Sequence, residues 1–159
     1  MKDNLLNIVN ILKTTNKTIS TMESCTGGYL ANCITNIEGA SNVYQFSAIT
    51  YSTDYKIKMG VDKKIIEKYS VYSKETADEM AYKIALYTNS NYGVGITGKL
   101  NNDEENKGYF VYYTIYNQDN NQYYSKYLKL ENIMRERNKK LIVNKIVEDL
   151  LIILSKNNK

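Results

Sequence analysis

A serine hydroxyl and a lysine amine suffice for acyl transfer if burial or a neighbouring cation lowers the amine's pKa toward neutrality. This chain must use that chemistry, or Tyr, Asp, Glu, Cys or water, because it contains no histidine. The absence removes Ser-His-Asp and Cys-His catalysis and every histidine-based metal site. Ser24, Thr26, Ser41, Tyr51, Ser52 and Lys56 are the side chains with suitable chemistry. Each also has a structural reading: Ser41 as a helix or turn cap, Tyr51 as a core ring with a satisfied hydroxyl, Lys56 as a solvated helix residue.

The run Ser24-Cys25-Thr26-Gly27-Gly28 stands where an apolar-polar strand pattern gives way to a helical one. Glycines there let a backbone approach a ligand closely. A helix starting just beyond would offer free N–H groups to an anion. Turns rich in Ser, Thr and Gly are also common as plain structure. Cys25 and Cys33 are the only cysteines, too few for a disulfide framework. Cys33 reads as a small buried apolar residue on a helix, and Cys25 as a thiol with no histidine to activate it.

The elements that must position these groups follow from periodicity. Leu5, Leu6, Ile8, Val9, Ile11 and Leu12 recur at helical spacing. Thr18 to Met22 reads as a short strand entering the Ser24 turn, with a helix from about Gly28 to Thr35. Glu38 to Asn42 is a break, and Val43 to Thr50 a strand. Ile57 to Tyr69 predicts two short helices separated near Gly60. Ala77, Met80, Ala81, Ile84, Ala85 and Thr88 mark one face of a longer helix. Tyr92 to Gly98 reads as a buried strand ending in a turn, and Lys99 to Lys107 as an exposed loop. Tyr109–Tyr116 and Gln122–Leu130 predict a strand pair, and Ile142, Ile146, Leu150 and Ile153 stripe a C-terminal helix. Strands interleaved with helices predict a three-layer α/β/α domain with a mixed, mostly parallel sheet spanning residues 1–159. In such sheets ligands bind beyond the carboxyl ends of the strands. That rule gathers the six candidates above, with Thr97 and Gly98, toward one cleft.

Composition narrows the class. The 159 residues are 43% hydrophobic and 24% charged, as in soluble globular proteins. No apolar run approaches the roughly 18 residues that span a bilayer, and the N-terminus is amphipathic, unlike a signal peptide. The expectation is a cytoplasmic protein without membrane contact. The net charge of +4 and isoelectric point near 8.8 fall short of a nucleic-acid-binding signature. Basic residues are dispersed except for Arg135, Arg137, Lys139 and Lys140, read as a solvated helix face with one anion contact. The tyrosine-rich strands leave aromatic surface for a homo-oligomer interface, with a dimer as the expectation.

Several of these segments together resemble the CinA C-terminal family of nicotinamide-nucleotide amidohydrolases. Glu23-Ser24-Cys25-Thr26-Gly27-Gly28 is similar to its Glu-Ser-Cys-Thr-Gly-Gly signature, and Gly39-Ala40-Ser41 to its Gly-Ser-Ser. Ile49-Thr50-Tyr51-Ser52-Thr53-Asp54-Tyr55-Lys56 resembles its Val-Thr-Tyr-Ser-Asn-Glu-Ala-Lys. Gly60-Val61, Val71-Tyr72-Ser73, Glu79-Met80-Ala81 and Gly95-Ile96-Thr97-Gly98 continue the match in order.

The resemblance implies a metal- and cofactor-independent hydrolysis of the carboxamide of nicotinamide mononucleotide, a pyridine nucleotide, to nicotinate mononucleotide and ammonia. Ser41 then matches the nucleophile, Tyr51 and Lys56 the groups that activate it, and Ser24 a hydroxyl in the same cluster. Thr26, Gly27, Gly28, Thr97 and Gly98 match the substrate-binding turns, whose backbone N–H groups would hold the oxyanion. Arg135 aligns with the family's Gly-Asp-Arg as a phosphate ligand, with Arg137 as its neighbour. The separate N-terminal domain of some members has no counterpart here. Thr97-Gly98-Lys99-Leu100-Asn101-Asn102 replaces the family's Thr-Gly-Ile-Ala-Gly-Pro, and the loop that follows is shorter and acidic. That departure supports an alternative, a catalytically weak relative that binds a nucleotide or a protein partner.

Overall fold

In the computed structural model, residues 1–101 and 108–157 are described. Five strands make one mixed sheet in the order β2-β1-β3-β4-β5. They are β1 (Ile19–Glu23), β2 (Tyr44–Ile49), β3 (Tyr92–Lys99), β4 (Tyr109–Asn117) and β5 (Gln122–Leu130). β1 pairs in parallel with β2 and β3, while β4 is antiparallel to both its neighbours. All strands but β4 therefore run one way, which puts the carboxyl ends of β1, β2 and β3 side by side.

Helices cover both faces, as the interleaved pattern predicts. On one face lie α1 (Lys2–Thr14), α2 (Tyr29–Thr35) and α6 (Arg135–Asn157), which contact one another. Leu5, Ile8, Val9 and Leu12 of α1 and Ile142, Val143, Ile146 and Leu150 of α6 share a core with Ile19, Val94 and Ile96 of the sheet. Their spacing of three and four residues keeps each apolar stripe on one helix face. On the other face lies α5 (Lys74–Thr88), joined to β2 by α3 (Thr53–Lys58) and α4 (Lys63–Tyr69). Met80 and Ile84 of α5 meet Met22, Ala48 and Val61 there.

The α5–β3 contact depends on missing side chains. A Cβ at Gly93 or Gly95 would overlap the backbone of Ala81 or Ala77. Glycine on the strand and alanine on the helix thus let the two backbones touch. Caps fix the helix ends: Ser73 Oγ accepts the N–H of Thr76 at the start of α5, and Asn89 closes it in the left-handed region at φ 53°.

Two boundaries differ from expectation where they matter to function. The first short helix starts at Thr53 and ends before Gly60, because Ser52 Oγ accepts the N–H of Tyr55 and caps it. Lys56 therefore sits on α3. The loop expected from Lys99 starts later, since β3 runs through Lys99, and both Lys99 and Leu100 are buried. Residues 102–107 of that loop lie outside the described residues.

Candidate active site

The ends of β1 and β2 are tied by the Thr50 N–H, which donates to the Glu23 carbonyl at 2.8 Å. Each strand then turns away, β1 into Ser24–Gly28 and β2 into α3. One turn into α3, the Lys56 side chain folds back into the gap. Its Nζ donates to the Thr50 carbonyl at 2.7 Å and to Ser24 Oγ at 3.0 Å. Lys56 is only 2% exposed. No ion pair to Lys56 occurs among the described residues. Burial without a carboxylate disfavours the ammonium and pulls the Lys56 pKa down from 10.5 to about 8. A substantial fraction is then neutral amine near physiological pH, beside a serine hydroxyl.

A cleft of about 110 Å³ opens over this pair, bounded by Tyr51, Tyr72, Gly98, Leu100 and Arg135. It has room for a carboxamide and part of a ring, while a nucleotide would extend through its mouth. Arg135, the first residue of α6, donates to the Leu100 carbonyl and to the Tyr51 hydroxyl, each at 3.1 Å. Tyr51 is 63% exposed and forms the rim. Its hydroxyl meets Arg135; Lys56 and Ser24 bond to each other beneath it. Arg137 faces a different groove, beside Ile133 and Leu141.

Cys25 also borders the cleft. Burial pushes its thiol up to about 12, so it stays protonated and is no nucleophile. Cys33 is buried in the main core, as its helical position predicts.

The geometry corrects three expectations. Ser41 is exposed in a 3₁₀ turn, Ala40–Asn42, that precedes β2. β2 runs from that turn toward Thr50, so Ser41 lies at the amino end of β2 and Lys56 beyond its carboxyl end. At roughly 3.3 Å per residue, β2 alone separates them by about 16 Å. Ser41 does not join the cluster; Ser24 does.

The N-terminus of α2 is not a free anion site. The Glu23 carboxylate already accepts the N–H groups of Gly28, Leu30 and Ala31 at 2.8–3.2 Å. Thr26 donates its hydroxyl to the same carboxylate at 2.6 Å, which removes it from substrate binding. A carboxylate tethered to the end of β1 sits permanently where an external anion would have bound. The Gly27 N–H is likewise used, donating to the Ser24 carbonyl at 2.9 Å. Neither glycine N–H is free for an oxyanion. Gly27 and Gly28 instead supply the tight turn, at φ 62° and 89°.

Third, the Thr97 hydroxyl donates to the Val71 carbonyl at 2.7 Å and fixes the start of α5; of Thr97 and Gly98, only Gly98 borders the cleft. Sequence reasoning missed the role of Glu23. The available signal was an acidic residue in a buried strand just before a helix start, the position where a carboxylate satisfies the orphan N–H groups. Lys139, read in the sequence only as part of a basic helix face with one anion contact, brings its Nζ over Gly27.

Among the described residues, no group of three or more His, Cys, Asp or Glu side chains could hold a metal ion, and no helix is long and apolar enough to cross a membrane.

Comparison with known proteins places this geometry in context. The model of the CinA C-terminal domain matches residues 2–154. A putative competence-damage inducible protein of Clostridium botulinum is 49% identical over 92 residues, covering 57% of this chain and 22% of the relative. A CinA-like protein of Kosmotoga olearia is 46% identical over 92 residues, with the same coverage of 57% and 22%. These matches span only about a fifth of the relatives' length, 22%. The crystal structure of the competence/damage inducible protein CihA from Agrobacterium tumefaciens superposes with a TM-score of 0.87 at 25% identity, covering 97% of this chain and 94% of that one.

Proposed function

The chain belongs to the CinA C-terminal domain family, and from that premise we propose that it is a serine amidohydrolase acting on the carboxamide of nicotinamide mononucleotide. Ser24 is the nucleophile and Lys56 its base. The single observation that carries this reading is the buried Lys56 amine, 3.0 Å from Ser24 Oγ at the floor of an open cleft. A lysine buried without a carboxylate is costly to keep in a structural role. Functional sites are where such perturbed groups gather.

The chemistry follows from the pair. With one Lys56 N–H held by the Thr50 carbonyl, the neutral amine directs its lone pair at the Ser24 hydroxyl. Ser24 Oγ attacks the carboxamide carbon and its proton passes to Lys56. The ammonium so formed stands beside the new oxyanion and stabilises it. It then returns the proton to the departing amine, which leaves as ammonia, and Ser24 holds an acyl ester. Water attacks the ester with Lys56 again as base. The carboxylate product is released and Ser24 regains its proton. The Tyr51 hydroxyl and Arg135 guanidinium, joined at the rim, hold the part of the substrate outside the cleft.

The test is ammonia release from nicotinamide mononucleotide by the purified protein, beside Ser24→Ala, Lys56→Met and Ser41→Ala. Turnover lost in the first two and kept in the third supports the reading. A wild type that releases no ammonia at millimolar substrate overturns it.

A further inference from the structure

The sheet has two edge strands, and the sequence protects only one of them. β5 carries Lys126 and Lys129, so pairing two copies of it would set lysine against lysine. β2 lies at the other edge, with β1 as its one strand neighbour. No charged residue occurs between Glu38 and Asp54, and the chain has no proline. β2 therefore lacks the charges and prolines that keep sheet edges apart. Its one blunting feature is a bulge between Tyr44 and Ser47, after which Ser47–Ile49 runs in unbroken register with Thr21–Glu23.

The outer backbone of that regular stretch is open. The Thr50 N–H points inward to the Glu23 carbonyl. Successive residues of a strand alternate, so Ile49 and Ser47 point their N–H and C=O groups outward. Among the described residues, no backbone group outside the β1–β2 ladder bonds Tyr44–Ile49. The surface beside this edge is apolar. Phe46, Ile49, Tyr51, Tyr55 and Tyr87 are exposed, and the Phe46 and Tyr87 ring centroids lie 5.4 Å apart. The four rings, each about half exposed, present roughly 400 Å² per copy. A standard interface buries about 800 Å² per partner, and Ile49 and the strand backbone add to the rings.

We propose that β2 pairs antiparallel with β2 of a second copy about a two-fold axis at Ala48, joining two five-stranded sheets into one. An axis there sets Ser47 of each copy opposite Ile49 of the other, so the outward groups of both residues exchange hydrogen bonds. The strand meets its own copy without like-charge repulsion. In this register Gln45 of the second copy stands opposite Tyr51, the rim of the cleft. Gln45 and Phe46 of the second copy thus wall the mouth of each cleft from outside. The tyrosine-rich strands β4 and β5, expected from the sequence to hold a dimer, stay outside the contact. The pairing is independent of the amidohydrolase reading.

The test is sedimentation equilibrium at micromolar concentration of the wild type, Ile49→Lys, Ile49→Glu and Tyr127→Lys, with circular dichroism to confirm folding. The wild type and Tyr127→Lys are expected at the dimer mass, and each Ile49 variant at the monomer mass. The two Ile49 side chains are diagonal neighbours about 7–8 Å apart, so an equimolar mixture of the Lys and Glu variants is expected to regain the dimer mass. Residue-resolved amide exchange reads the same contact in the wild type without substitution. In the dimer the Ser47 and Ile49 amides are protected along with Ala48, whereas at a free edge they exchange fast. A wild type at the monomer mass, or fast exchange at Ser47 and Ile49, overturns the pairing. So does a dimer that Ile49→Lys leaves intact or that Tyr127→Lys breaks. A mixture that stays at the monomer mass overturns the two-fold axis at Ala48.

Discussion

Lys56 Nζ lies 3.0 Å from Ser24 Oγ across 32 residues of sequence, with both side chains buried at the adjoining ends of two parallel strands. The pair unites a base lowered by burial with a hydroxyl that opens onto a cleft. Its consequences can be measured separately.

The first concerns pH. Burial holds Lys56 down at about 8 against an ordinary value of 10.5. We expect kcat/KM to rise with pH as Lys56 loses its proton and to level off above about 8. Stability moves the same way. Between about 8 and 10.5 the unfolded chain binds the proton that the folded chain has released, so this contribution rises with pH and is lost as pH falls through 8. Lys56→Met should abolish turnover and remove that part of the pH dependence of Tm. A pH–rate profile flat from 6 to 10 would contradict the assignment.

The second separates the two serines. Ser24→Ala should lower kcat by roughly a thousandfold or more, as loss of a nucleophile does. Ser41→Ala, at the far end of β2, should stay within about twofold of wild type, since it is exposed and remote from the cleft. Steady-state ammonia release decides between them, with circular dichroism to confirm folding.

The third tests Glu23. Its carboxylate gathers three backbone N–H groups and the Thr26 hydroxyl. Glu23→Ala leaves these donors in a buried site and should destabilise by on the order of 3 kcal/mol. Glu23→Gln keeps one acceptor oxygen but turns an amide NH₂ toward donors, so its loss should be smaller. Urea denaturation gives both values, and an Ala variant as stable as wild type would refute the capping role.

A fourth prediction addresses the α5–β3 contact. Gly95→Ala pushes a methyl group into the backbone of α5 at Ala77. The helix can only back away, opening the Met22–Met80–Ile84 packing beside it. We expect destabilisation of about 3 kcal/mol, read as a lowered midpoint in urea. Gly27→Ala, at the exposed turn, should cost less and act through its φ of 62°.

Much of the fold was legible because it is written in local patterns. The apolar stripe of α1 declares a helix by periodicity, and the short run Tyr92-Gly93-Val94-Gly95-Ile96 before a Gly turn declares the strand β3. Boundaries were less legible where capping decided them: α3 begins at Thr53 because a Ser52 hydroxyl meets an N–H three residues on. The Glu-Ser-Cys-Thr-Gly-Gly signature marked the right turn, yet it did not reveal that Glu23 would occupy the helix end the turn creates.

By itself the sequence determined the inventory: no histidine, Tyr51 and Lys56 as candidate bases, and serines at turns between strands and helices. Which serine meets that lysine was decided only by the tertiary structure. Ser41 and Lys56 are 15 positions apart in the chain, closer than Ser24 and Lys56. A strand lies between the first two, however, and holds their positions at opposite ends of its length. The parallel pairing of β1 with β2 brings the other two together. Burial, which makes Lys56 a base, likewise comes from packing and not from its neighbours in sequence.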